Sequence, residues 1–244
     1  MSKRIIISMT SWPKRIGNVK TVLESLLKQT VKADLIELNL SLQEFPNKEI
    51  DLPEDLNDLI NNNKCIEINW VEENTGVFKK LIPTIKKFLG EEEYYLLSVD
   101  DDYIYRSDYI EIMVNHIEKD KSDAFCLSGS KVIGNKMIYL SSCFDKDFYE
   151  DLTQEIINNR ISDYYICRYL EVKRKKKLTK FCPRNLNDIM KLYNPVFSNS
   201  GNPTVVGRDS RYNPSQVRKA RMAIDKLFGS PKKSNIYKHP LSSW

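Results

Sequence analysis

The sequence predicts an α/β fold: a mostly parallel sheet flanked by helices, followed by a helical C-terminal tail. Three observations carry that expectation. Short apolar runs alternate with amphipathic stretches through roughly the first hundred residues, the pattern of βαβ units wound into a parallel sheet. The chain has 244 residues, 41% of them hydrophobic and 29% charged, which suits one large soluble α/β domain. It has only 8 glycines, and a Gly-rich phosphate loop needs several glycines close together.

Ile5 to Met9 is an apolar run ending in Thr10-Ser11-Trp12-Pro13, which reads as a buried strand and a turn. From Asn18 to Gln29, Val19, Val22, Leu23, Leu26 and Leu27 recur at helical spacing. Leu35 to Leu42 alternates, with Asn39 and Ser41 on the face opposite the leucines, and forms a second strand. Pro46 to Asn63 is polar and holds a short helix. Cys65 to Val71 is a third strand, closing on Glu72-Glu73-Asn74-Thr75-Gly76. A helix starts near Pro83, which favours a first-turn position, and stops at Gly90. Tyr94 to Val99 is a fourth strand. Beyond it the pattern predicts helices over Tyr109 to Lys119, Asp151 to Asn159 and Tyr164 to Val172, and strands over Ala124 to Ser128 and Met137 to Ser141. Asn213-Pro214 opens a last helix that runs to Phe228-Gly229. The tail from Ser230 to Trp244 is expected to lack a packed core of its own.

The net charge is +5, with a sequence pI of about 8.8. That suits an anionic substrate or an anionic membrane surface and is too small to demand nucleic acid, so no nucleic-acid partner is expected. No stretch approaches the ~18 apolar residues of a spanning helix. The apolar part of Met1 to Ile7 is too short for a signal peptide. Five cysteines without a CxxC pair point to reduced thiols. Together these predict a cytoplasmic protein, soluble or peripheral on the inner face of the membrane. Only His116 and His239 could supply imidazole, so structural zinc is not expected.

The chemistry centres on Val99-Asp100-Asp101-Asp102-Tyr103. In parallel sheets ligands sit beyond the carboxyl ends of the strands, and these aspartates fall there. Three adjacent carboxylates repel, and the cost rises as water is excluded. A divalent cation removes that penalty. Alternation along an extended chain puts Asp100 and Asp102 on one side and Asp101 on the other. One carboxylate then ligates the metal while another holds a ribose hydroxyl. The expected metal ligands are Asp102 and Asp100, with Asp100 and Asp101 facing the donor. Mn²⁺ or Mg²⁺ takes oxygen ligands and keeps positions for substrate phosphates. A metal on a diphosphate neutralises the charge that builds on a leaving nucleoside diphosphate, as sugar transfer from a nucleotide sugar requires.

Three segments in order carry a family resemblance over roughly the first hundred residues. Ile6-Ile7-Ser8-Met9-Thr10-Ser11-Trp12-Pro13-Lys14-Arg15-Ile16 resembles the opening of bacterial GT-A-type glycosyltransferases related to family 2, where a Thr-Ser-Tyr-Pro-x-Arg-like turn follows the first strand. Asn74-Thr75-Gly76-Val77-Phe78-Lys79-Lys80-Leu81-Ile82-Pro83 is similar to their Gly-x-x-x-Lys-Leu-x-Pro segment. Leu97-Ser98-Val99-Asp100-Asp101-Asp102-Tyr103-Ile104-Tyr105 is similar to their Asp-Asp-Asp-x-x-Tyr motif. The resemblance implies a GT-A-like (Rossmann-like) fold and a metal-dependent transfer from a nucleoside diphosphate sugar, a UDP-sugar first, to a hydroxyl of a glycan or lipid-linked acceptor. Surface glycan or lipopolysaccharide assembly is the setting it implies, with inversion at the sugar. Residues 1–103 are then the nucleotide-sugar-binding half, 104–195 the acceptor half of the same domain, and 196–244 a C-terminal helix and basic tail.

Ser162-Asp163-Tyr164-Tyr165-Ile166 carries the resemblance further, to an Asp-Asp-Ile-Trp-like segment at the start of an acceptor-facing helix. Asp163 matches its second acidic position and is thereby the candidate general base; Ser162 departs from the first. Either residue could instead be a helix cap, and Glu150-Asp151 is a rival acidic pair. Thr10 and Arg15 lie after the first strand, where the resemblance implies contact with the base or phosphates. Lys80 could pair with the diphosphate or be solvated, as Lys79 reads, and Ser41 and Glu72 sit at the usual rim for nucleoside contacts or are simply turn residues. His239 could fold over the diphosphate or simply be solvated. The run Arg174-Lys175-Lys176-Lys177 reads as a loop, or as a basic segment for peripheral membrane contact. Tyr164, Tyr165 and Tyr169 either stack on acceptor sugars or belong to the core. Phosphatase and nucleotidyltransferase readings fail on the position of the aspartates and on the glycine-free first turn. A catalytically inactive GT-A-like nucleotide-binding or scaffold protein is the alternative that Ser162 keeps open.

Overall fold

The computed structural model describes residues 3–127, 136–158, 161–181, 193–195, 214–229 and 237–238. In chain order the elements are β1 (Ile5–Thr10), α1 (Ile16–Leu27), β2 (Leu35–Ser41), α2 (Glu54–Asn61), β3 (Ile66–Val71), α3 (Ile82–Phe88), β4 (Tyr95–Ser98) and β5 (Tyr103–Tyr105). There follow α4 (Tyr109–Lys119), β6 (Ala124–Leu127), β7 (Met137–Leu140), α5 (Asp147–Glu150), α6 (Gln154–Asn158), α7 (Ser162–Arg168), β8 (Leu178–Phe181), β9 (Tyr193–Pro195), α8 (Pro214–Phe228) and β10 (Tyr237–Lys238).

Eight strands form one sheet in the order β10-β8-β6-β7-β4-β1-β2-β3. Every strand in it runs the same way except β7, which is antiparallel to both β4 and β6. β5 and β9 make a separate two-stranded antiparallel ribbon. This mostly parallel sheet, flanked by helices and followed by a C-terminal helix, has the GT-A-like α/β architecture.

Alternation within each strand sorts its side chains between two cores. Ile5, Ile7 and Met9 of β1 pack with Leu38 and Leu40 of β2, Val22 and Leu26 of α1, and Ile110 and Met113 of α4. Ile6 points the other way, with Leu96 of β4, Ile85 and Phe88 of α3, and an aromatic group that includes Phe148, Tyr165, Tyr169 and Phe228. Tyr165 and Tyr169 are fully buried there, which settles them as core.

The polar face of β2 is buried too. Asn39 Nδ2 lies 3.0 Å from both Ser8 Oγ and Thr84 Oγ1, and Asn69 Nδ2 donates to Asn39 Oδ1 at 2.9 Å. Glu37, fully buried, accepts from Thr84 and from Lys87 Nζ. Under α3 these groups satisfy one another, as buried polar groups must.

Several boundaries differ from the pattern. α1 begins at Ile16, two residues before Asn18, and α7 widens at Tyr169–Lys173 into a π turn where one continuous helix was expected. The strands β5, β9 and β10, of two or three residues each, are too short for periodicity to announce, and β8 follows directly on the basic run, which masks it. Tyr237–Lys238 extends the sheet beside β8, so the tail joins the core at that point; its other residues from Ser230, His239 among them, lie outside the described ones. Among the described residues, no helix is long and apolar enough to cross a membrane.

Candidate functional site

β1 and β4 are adjacent and parallel, with Ser8 opposite Ser98. Their following turns therefore emerge side by side at the carboxyl edge of the sheet. The turn after β1 supplies Ser11 and Arg15, and the turn after β4 supplies Asp100, Asp101 and Asp102. Ser11 Oγ donates to Asp101 Oδ2 at 2.6 Å. Arg15 Nη1 lies 2.8 Å from Asp101 Oδ1 and 3.1 Å from Asp102 Oδ2.

The alternation expected for the aspartates does not hold. The strand ends at Ser98 and the chain turns at Asp101-Asp102, so these two converge on Arg15. Asp100 faces the other way, toward Lys80 Nζ at 3.0 Å and Lys136 Nζ at 3.5 Å. The turn is closed by Tyr105, whose hydroxyl accepts the Asp100 backbone N–H at 2.8 Å.

Lys80 ends a short 3₁₀ segment, Gly76–Lys80, which Gly76 enters with φ +59. That left-handed conformation suits glycine because it carries no Cβ. Ser8 Oγ pins the segment by donating to the Lys80 carbonyl. Phe78 packs edge-on against Tyr165 of α7, ring centroids 5.6 Å apart. This contact ties the first turn of α7, with Asp163, to the segment that carries Lys80. Lys79, expected in solvent, is buried and ion-paired to Glu44, because the tight segment tucks it against the loop after β2.

Lys136 was not legible as a site residue. It precedes β7, and the reversed direction of that strand pairs Met137 with Ser98. Its ammonium thus lands beside the turn after β4, 3.7 Å from the centroid of the Tyr103 ring. Only the register of a reversed strand reveals it.

The electrostatics divide the carboxylates. Burial by itself would raise Asp100, but the charges of Lys80 and Lys136 outweigh it and hold that carboxyl below its ordinary value. Asp101 is raised, burial exceeding what Arg15 and Ser11 return. Asp102 is pushed up to about 6 by burial and by the charge of Asp100, which Arg15 only partly offsets. Asp163 is likewise pushed up to about 6, chiefly by burial, with Lys80 offsetting and Asp100 adding to the rise. Ser162 hydrogen-bonds Asp163, and no side chain caps the α7 N-terminus. The site thus gathers four carboxylates and three cations, Arg15, Lys80 and Lys136.

The other expected residues are placed as follows. Thr10 Oγ1 donates to the Asn39 carbonyl at 2.7 Å. Ser41 is buried at the end of β2, its Oγ accepting from the Gln43 N–H at 3.1 Å. Glu72 is exposed just after β3. These three lie along the rim of the sheet and, among the described residues, take no part in the ion pairs of the charged cluster. Glu150 pairs with Lys146 and Asp151 with Lys173, both on the surface. Part of the basic run is engaged: Arg174 binds Asp145 and Lys176 binds Asp123 at 3.2 Å, while the preceding Lys173 binds Asp147 and Asp151.

Among the described residues no group of three or more His, Cys, Asp or Glu side chains is placed to enclose a metal ion. Both Asp100 oxygens face ammonium groups, and both Asp101 oxygens are taken by Ser11 and Arg15. Asp102 meets Arg15 through Oδ2, and its raised value comes first from burial and then from the charge of Asp100. The described residues thus offer one or two carboxylates rather than a closed set of ligands, and a hard cation here would need substrate phosphates and water to complete its shell.

No protein-family model matches the sequence, and no curated protein matches it. Solved structures do match. The chain is similar to TarS of S. aureus, a GT-A-like glycosyltransferase, with TM-score 0.50 and 14% identity, over 80% of this chain and 37% of that one. TarS 1-349 in complex with UDP matches with TM-score 0.48 and 14% identity, over 72% of this chain and 56% of that one. TarS 1-349 alone gives TM-score 0.46 and 15% identity, over 72% and 57%. The chain thus spans between 37% and 57% of the TarS chains it matches. At such identities the likeness establishes the fold.

Proposed function

We propose that the chain is a glycosyltransferase that moves a sugar from a nucleoside diphosphate sugar, a UDP-sugar first, to a hydroxyl of a glycan or lipid-linked acceptor. The observation that carries this reading is the convergence of Asp100, Asp102, Asp163, Arg15 and Lys80 at the carboxyl edge of a GT-A-like sheet. Asp163 takes the proton of the acceptor hydroxyl as its oxygen attacks the anomeric carbon. The bond from that carbon to the phosphate oxygen breaks, and the nucleoside diphosphate leaves with the electron pair, giving inversion. A carboxyl poised near 6 suits that role, since it is ionised at neutral pH yet still basic. Arg15 and Lys80 hold the phosphates, and Thr10, Ser41 and Glu72 line the nucleoside side. Mn²⁺ or Mg²⁺ would be held by Asp102, with Asp100 second, and would supply charge neutralisation at the leaving diphosphate.

In this reading residues 1–103 bind donor and 104–195 bind acceptor, with 196–244 as a helix and basic tail. Surface glycan or lipopolysaccharide assembly at the cytoplasmic face of a membrane is the setting proposed. The exposed cations Arg218, Lys219, Arg221 and Lys226 of α8 are the basic segment available for peripheral contact there.

Thermal denaturation against a panel of nucleoside diphosphates, each with and without Mn²⁺, tests the proposal, because a ligand of the native state raises the melting temperature. A rise with one nucleotide that grows with metal, and disappears in an Asp102→Ala variant that still melts cooperatively, is the expected result. No rise with any of them points to the scaffold alternative.

A further inference from the structure

We infer that Lys80 and Lys136 form a two-ammonium clamp for the donor's diphosphate, with Asp100 as the counter-ion that occupies it between turnovers; this rests on the donor-site reading above. Two cations converge on one carboxylate: Lys80 Nζ is 3.0 Å from Asp100 Oδ1 and Lys136 Nζ 3.5 Å from Oδ2. Both ammonium side chains are under a tenth exposed. Burying an ammonium is costly, and one partner per charge suffices for a structural pair. Asp101 and Asp102 make their direct ion pairs with Arg15 and reach the lysines only through space. Asp163 lies within electrostatic range of both lysines, on the side assigned to the acceptor.

The two lysines also come from unrelated elements, each with its own device for reaching this point. Lys80 is carried by the 3₁₀ segment whose carbonyl Ser8 pins. Lys136 is delivered by the antiparallel register of β7 and steadied over the Tyr103 ring at 3.7 Å. A lysine is a compact point charge on a flexible stem, so it can follow an anion as that anion moves. A diphosphate brings two adjacent negative groups, one for each ammonium group that now faces an oxygen of Asp100. On donor binding its oxygens replace Asp100 at both lysines and release that carboxylate. The step is an exchange of ion partners in which no covalent bond changes. The chain's own cations thus share the neutralisation of the leaving group with any bound metal.

The test is calorimetric titration with UDP in EDTA, with uridine followed by saturation-transfer NMR as the control lacking phosphate. Wild-type protein is expected to bind UDP without metal. Lys136→Met should bind UDP about 10- to 100-fold more weakly while holding uridine as before, the loss of one charge-assisted contact. Lys136→Arg should recover most of that affinity. UDP binding by Lys136→Met at wild-type strength overturns the clamp, and so does an equal fall for UDP and uridine, which would mark damage to the fold. UDP binding by wild type that needs Mn²⁺ and ignores Lys136 overturns the clamp but leaves the donor site standing. Failure of wild type to bind UDP even with Mn²⁺ removes both.

Discussion

Arg15 Nη1 donates to Asp101 Oδ1 at 2.8 Å, joining the turn after β1 to the turn after β4 across 86 positions of chain. The same nitrogen is 3.1 Å from Asp102 Oδ2. One guanidinium thus serves two carboxylates whose side chains are only 8% and 3% exposed. Arg15→Met keeps the apolar stem and removes the charge, leaving both carboxylates short of a partner. Breaking a fully buried pair costs about 3–5 kcal/mol. Arg15 is partly exposed, so a loss of roughly 2 kcal/mol is expected. Urea denaturation should show a lower midpoint at an unchanged slope. A midpoint equal to wild type would show that solvent already screens the pair.

The raised carboxyls set a pH dependence of stability. Asp102 moves from an ordinary 3.8 to about 6 in the folded chain, so the fold holds that proton more tightly than the unfolded chain does. Its contribution is fully present below about 4 and is lost as pH rises through about 6. Asp163 acts in the same direction. Asp102→Asn is neutral at every pH and lacks this loss. Melting temperatures of variant and wild type, measured from pH 4 to 7, should therefore shift in the variant's favour as pH rises. Two parallel curves would refute the assignment.

Asp163 gives the kinetic counterpart. Once donor and acceptor are identified, wild-type turnover should rise with pH through about 6 and then level, as the carboxylate becomes available to take a proton. Asp163→Asn should lower kcat about 10²- to 10⁴-fold, with donor affinity little changed. An unaltered kcat reduces Asp163 to a first-turn acidic residue of α7.

Much of the charged cluster was readable before the fold was known. Ile5 to Met9, Tyr94 to Val99 and the run of aspartates behind them required a buried strand ending in clustered charge, because apolar runs and like charges behave the same in any context. Arg15 and Lys80 were singled out by their places after a strand and before a helix together with the family resemblance. Lys136 was not, since nothing local marks it and only the reversed β7 brings it to Asp100. The burial of Lys79 and of the polar face of β2 also went unseen, because each depends on a partner from another part of the chain: Glu44 for the lysine, Thr84 for Asn39.

By itself, then, the sequence determined the α/β class, the order of the main strands and helices, and the point where carboxylates leave the sheet. These follow from periodicity, turn chemistry and repulsion between neighbours, all of which act within a few residues. Tertiary structure alone decided that Asp101 and Asp102 turn to Arg15 while Asp100 turns to two lysines, and that Lys173, Arg174 and Lys176 of the basic run are taken up by Asp145, Asp147, Asp151 and Asp123. The physical reason is that a buried charge must find compensation through space, and the register of the sheet sets which distant cation arrives beside which carboxylate.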